Sequence, residues 1–316
     1  MTTVDDPTTG NPAEEPGPPD GPNGTTGAES AAGTNGATGA EGAAGPNGAA
    51  GGGSASAADG AQAEAVAGLH ERTLRVLDRL LYDARFRETF VTGGPRSTEL
   101  GLEADLLDAF DLVDTRELVQ VGRNIRSDVT SGGTGTGLGL ARTFPRTLRA
   151  VRERGGGGLK EVAEEFIASP SFQEFRDVPF SPRGRGRTLP ECFHRWVADH
   201  PRHTRHGSLE PLAFHEAAEA VVRTVSTGAD ATFDVGMPGA ARHGDTLCIF
   251  RDYASAPPVW KLRPTIYLAG NSRCVVGGVS PAVYGGLVAV LGGRAESLPV
   301  RVREALERRL RNWGLR

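Results

Sequence analysis

The sequence predicts an α+β protein: a disordered Gly/Ala-rich N-terminal tail, a mainly helical middle domain, and a small C-terminal α+β unit that is winged-helix-like. Three observations carry that prediction. Residues 1–62 contain eight acids and no Lys, Arg or aromatic side chain, so they cannot bury enough apolar surface to offset the entropy of ordering the chain. From Val66 to Val225 the apolar residues recur at three- and four-residue steps, the period of a helix with one buried face. Runs of β-branched and aromatic residues appear only further on, at Thr246–Phe250, Leu262–Leu268 and Arg273–Val276. The boundaries read from these shifts are 1–62, 63–227 and 231–316.

Within the tail, Gly recurs every third residue from Gly21 to Gly51, with Ser30 the one miss. Only Pro22 and Pro46 supply the prolines a collagen-type helix needs, which favours a flexible segment. Val66, Leu69, Leu77, Leu80, Phe86 and Phe90 then mark a helix or helix pair that Gly93-Gly94-Pro95 stops. Further helices are expected over Glu103–Phe110 and Thr115–Val129, the latter capped by Asp114 or Thr115 with Glu117 in its first turn. Pro145 divides Leu138–Leu148 into the end of one helix and the start of another. Leu159–Arg176 is helical with a turn at Ser169-Pro170, Thr188–Trp196 opens on Leu-Pro-Glu, and Leu212–Val225 closes the helical half. Pro264 places the second β-run at a sheet edge or at a bulge. Two final helices span Pro281–Leu291, capped by Ser280, and Pro299–Trp313.

Charge separates tail from body. The whole chain carries −4, but the tail alone is −8 and the remainder about +4, with 35 basic residues against 39 less 8 acidic ones. Nearly all the bases are Arg, Lys160 and Lys261 being the two lysines. Cys192, Cys248 and Cys274 are odd in number and far apart, which argues against a disulfide framework. Neither a signal-type h-region nor a run of about 18 apolar residues occurs. The expectation is a cytoplasmic protein with no membrane partner.

Two constellations invite a catalytic reading. Ser131-Gly-Gly-Thr-Gly-Thr-Gly-Leu-Gly-Leu140 looks like the glycine box of kinase-type ATPases, yet it follows no strand and lacks both Gly-Lys-Ser/Thr and an upstream Asp-x-Gly-x-Gly. An interhelix loop is the reading its context supports. Cys192, His194, His200, His203, His206 and His215 are the metal-ligating residue types that cluster, but not at the spacings that build a tetrahedral site on one helix. No catalytic residue, metal ligand or cofactor is therefore assigned. Arg183-Gly-Arg-Gly-Arg187 reads as a solvated basic loop.

The middle block carries a resemblance. Asn124, Phe144-Pro145-x-Thr147, Phe166-x-x-Ser-Pro-x-Phe172 and Gly186-x-x-Leu189-x-Glu-x-Phe193-x-x-Trp196, in that order, resemble the helical domain of the DNA-binding-domain, methanobactin-type partner proteins. Those proteins accompany multinuclear non-haem iron oxidases that modify ribosomally made peptides. The resemblance spans about a third of the chain, with Val121-Gly122-Arg123 where a Tyr is expected and a Gly-rich insertion before Phe144. It implies a non-catalytic partner with two ligands, an iron-dependent peptide-modifying oxidase and a precursor peptide. The C-terminal unit, similar to peptide-recognition elements, would take the peptide as an added strand along Leu262, Arg263, Thr265, Ile266 and Tyr267, with Arg251 and Arg263 facing acidic peptide residues. The alternatives are a DNA-binding regulator, through Arg301, Arg303, Arg308, Arg309 and Arg311, and a nucleotide- or metal-binding enzyme.

Overall fold

The computed structural model describes residues 55–133, 137–177, 186–204, 208–227, 235–270 and 272–313. Most of the tail lies outside them, as do Arg183, Arg185 and His206. The described chain is mostly helical, with one small antiparallel sheet near its C-terminus.

The helices begin with α1 (Ala55–Tyr82), which opens inside the expected tail, and α2 (Ala84–Gly93). Asp83 separates them by accepting from the N–H groups of Arg85 and Phe86, the arrangement of an N-cap. Then come α3 (Ala104–Phe110) and α4 (Thr115–Ser131), where Asp114 rather than Thr115 is the cap. Phe86, Phe90, Leu106, Phe110 and Leu118 from these helices close a small core of their own with Val76 and Leu80.

The next helices are α5 (Gly139–Thr143), α6 (Pro145–Glu153), α7 (Leu159–Ile167), α8 (Pro170–Asp177), α9 (Leu189–Asp199), the four-residue α10 (Pro201–Thr204) and α11 (Glu210–Thr227). Their inward faces meet in an aromatic cluster. Phe144 lies 4.5 Å from Phe193, and Phe166 packs edge-on against both Phe172 and Phe193 at 5.3 and 5.1 Å. Each such ring, taken from water to full burial, contributes about 1.5–3 kcal/mol.

Four strands follow, β1 (Ala240–His243), β2 (Thr246–Arg251), β3 (Thr265–Gly270) and β4 (Arg273–Gly278), ordered β1-β2-β3-β4 with every pair antiparallel. The sheet is covered on both faces. Leu247, Ile249, Tyr267 and Ala269 join the aromatic core under α11. Cys248, Ile266 and Leu268 point the other way, into a second core with Leu287, Leu291, Leu306 and Leu310 from α12 (Pro281–Leu291) and α13 (Val300–Asn312).

Two expectations about the sheet are corrected. Four strands form rather than three, because β1 is the short polar run Ala-Ala-Arg-His, which carries no β-branched signal. Nor is the second expected run an edge: Thr265, Ile266 and Tyr267 pair with Arg251, Phe250 and Ile249 on one side and with Gly278, Gly277 and Val276 on the other. Proline lacks a donor only at its own position. Pro264 stands one residue before β3, where its carbonyl accepts from Val279 N–H at 2.8 Å, so the strand beyond it is free to be central.

Candidate functional site

The residues behind the resemblance, Asn124 apart, are occupied in holding the helices together. Phe144 is buried and Pro145 starts α6. The N–H groups of that first turn, which have no partner within the helix, are taken by a carboxylate from α11: Glu216 accepts from Arg146 N at 2.9 Å, Thr147 N at 3.0 Å and Thr147 Oγ1 at 2.6 Å. Burial pushes the Glu216 carboxyl above its ordinary pKa, against the pull of those donors. In α9, Thr188 and Glu191 form a capping box, and the second Glu191 oxygen accepts from Gly236 N–H at 2.6 Å, tying the helix to the segment before β1. Ser169 caps the turn between Phe166 and Phe172. Asn124 accepts from Gln120 on the exposed side of α4.

Gly122 has a structural cause too, since a Cβ there would stand 2.5 Å from the Arg87 guanidinium carbon. That guanidinium donates to the Leu80 and Leu81 carbonyls at the end of α1. The glycine-rich stretch is likewise a corner. Gly132 (φ +98°) and Gly139 (φ +68°) press their backbones together, so that a Cβ on Gly139 would sit 2.3 Å from Gly132 N.

The histidines go separate ways. His194 pairs with Glu210 at 3.2 Å. His200 and His203 make a tilted ring contact with each other and tilted and edge-on contacts with Trp196. His215 meets the Tyr267 hydroxyl at 2.6 Å. Cys192 and Cys248 are buried thiols pushed up to about 12 by desolvation, and Cys274 is exposed. Among the described residues no three His, Cys, Asp or Glu side chains gather as a metal site, and no helix is long and apolar enough to cross a membrane.

The expected peptide-contact residues divide. Arg251 is committed internally, donating to Glu210 at 2.7 Å and lying over the Phe214 ring. Leu262 packs against the main core and Arg263 is exposed. The free backbone belongs instead to β4. Val279 N–H bonds to Pro264, and in an antiparallel ladder bonded pairs alternate. Arg273, Val275 and Gly277 therefore bond inward to β3, while the backbone groups of Cys274, Val276 and Gly278 face outward from an edge that no described strand covers. Sequence reasoning missed this edge because its one signal, the weak Gly277-Gly278 end of a short run, is not specific.

Two clefts flank the helical block. The larger, about 730 Å³, runs between Asp83–Arg85, the end of α7 and the end of α9, and carries Glu161, Glu165, Asp199, His200 and Arg202. The smaller, about 320 Å³, is bounded by α5, α6 and α11. On α13, Arg301, Arg308, Arg309 and Arg311 are exposed and Arg303 is half-buried, with Arg309 over Trp313.

No family model, no curated protein and no solved structure matches this chain.

Proposed function

We propose that this protein is a non-catalytic partner in the maturation of ribosomally made peptides. It holds a precursor peptide as an added strand while its helical body docks an iron-dependent modifying oxidase. The observation that carries the reading is the open edge of β4, whose outward backbone groups at Cys274, Val276 and Gly278 match the donor and acceptor row an extended peptide needs. The sheet behind it is buried on both faces, so the edge is presented in a fixed register. On this reading β1 to β4 with α12 and α13 make up the winged-helix-like unit. The resemblance of the middle block supplies the oxidase, and the use of its motif residues as caps and core suits a rigid platform.

The test is hydrogen exchange across β4 in the full chain, with and without the short peptide encoded beside it, together with co-purification of a neighbouring oxidase. Peptide addition should slow exchange at Cys274, Val276 and Gly278. Val276→Pro removes an outward N–H together with the packing of Val276 against the main core, and should weaken capture more than Val276→Ala, which loses the same packing but keeps the N–H. Unchanged exchange with every candidate peptide, and no oxidase retained, would overturn the proposal.

A further inference from the structure

The cleft between α5, α6 and α11 is lined by Arg142, Arg146, His215, Glu216, Glu219 and Arg223. Its acids are already answered. Glu216 has both oxygens turned to the start of α6, and Glu219 accepts from Arg223 at 2.5 Å. Arg146 is held in place by the Trp260 carbonyl at 2.7 Å. Arg142 makes no ion pair among the described residues.

A second set of contacts fixes the histidine. Tyr253 is buried, and the hydrogen-bond partner of its hydroxyl among the described residues is Tyr267 Oη at 2.7 Å. Buried hydroxyls nearly always donate, and on that ground the Tyr253 proton is assigned to the bond with Tyr267. With that assignment Tyr267 gives its own proton to His215 Nδ1 at 2.6 Å. An imidazole that accepts at Nδ1 carries its proton on Nε2. Burial depresses the His215 pKa and keeps the ring neutral. The remaining ring nitrogen is thus an N–H donor on a side chain that lines the cleft.

We infer that this cleft binds a carboxylate, supplied by an acidic side chain of the captured peptide. Guanidinium groups and one N–H donor suit a planar anion. The balance of three Arg against two Glu leaves one positive charge, which a monoanion neutralises and a phosphate dianion overshoots. The source of the carboxylate rests on the strand-addition reading; the cleft chemistry does not. Both holding contacts connect the cleft to the chain that pairs with β4: Tyr267 lies directly opposite Val276, and Trp260 ends the turn that leads into β3.

The test uses the full chain, ¹⁵N-labelled, titrated with N-acetyl-glutamate amide, with N-acetyl-glutamine amide as neutral control and with inorganic phosphate. Expected are saturable shifts of His215 Nε2–H and the Arg142 and Arg146 Nε–H signals with the glutamate probe alone. Arg142→Gln should weaken binding at least fivefold. Tyr267→Phe should shift the His215 ring nitrogens away from the Nε2–H tautomer and weaken binding while every charge is retained. Equal response to the neutral probe, tighter binding of phosphate, or no response at His215 would each overturn the assignment. Should the probe bind here while no peptide protects β4, the strand-addition reading falls and the carboxylate site stands.

Discussion

At the scale of single residues, the side chains that looked chemical turn out to differ in what surrounds them. His203 is 4 % exposed and its Nε2 has no hydrogen-bond partner among the described residues. Desolvation, reinforced by the charges of His200, Arg154 and Arg202, lowers its pKa from 6.5 to about 4. The sign follows from proton counting. Between about 4 and 6.5 the unfolded chain binds a proton that the folded chain refuses, so stability is complete above that window and is lost as pH falls through it. The full shift corresponds to roughly 3 kcal/mol. Urea denaturation at pH 7.5 and pH 5, which crosses about 1.5 pH units of that window, should show a fall of about 2 kcal/mol in the native protein and a smaller one in His203→Gln; equal falls would place the sensitivity elsewhere. Sequence spacing argued against a tetrahedral set among these histidines. It could not show that His203 is enclosed by Trp196, because that contact depends on the turn at Pro201. The same limit hid Glu216, an ordinary glutamate on a helix until α6, 69 residues before Thr147's partner in the chain, arrives with its N-terminus.

At the scale of elements, boundaries written in local chemistry were legible and those set by tertiary partners were not. Ser280 before Pro281 and Asp114 before α4 are caps whose residue types announce themselves. The position of β3 within the sheet is not local, since it depends on β4 arriving to cover its second edge. The glycine-rich corner lies between the two cases: its composition announced a loop, while the close packing of Gly132 on Gly139 needed coordinates. That packing makes a prediction. Gly139→Ala combines a positive φ with a Cβ 2.3 Å from backbone nitrogen, so it should cost about 2–4 kcal/mol. Gly137→Ala meets no atom within 4 Å and bears the φ +63° strain alone, and should cost about 1 kcal/mol. Thermal denaturation of the two variants separates the effects; equal losses would mean that the corner relaxes without resistance.

At the scale of the whole molecule, the sheet joins what composition divides. Helical periodicity ends near Val225 and the β-prone runs begin at Thr246, yet β2 and β3 send alternate side chains into two cores, one shared with α11 and α9, the other with α12 and α13. Alternation along a strand is what permits this, since neighbouring residues face opposite sides. Removing either core would strip one face of β3, all of whose residues are buried. The expected consequence is one cooperative unfolding transition over the sheet and the helices packed on its two faces. The three tryptophans report on it from both sides, because Trp260 packs against the first core, Trp196 belongs to it, and Trp313 packs against the second. Fluorescence of variants keeping Trp196 alone or Trp313 alone should give superimposable urea curves. A separate, earlier transition at Trp313 would mean that α12 and α13 unfold as their own unit, with β3 held by the helical side alone. Coincident curves would make the β4 edge as stable as the aromatic core behind it, the property a strand-addition surface needs if a peptide is to find it already formed.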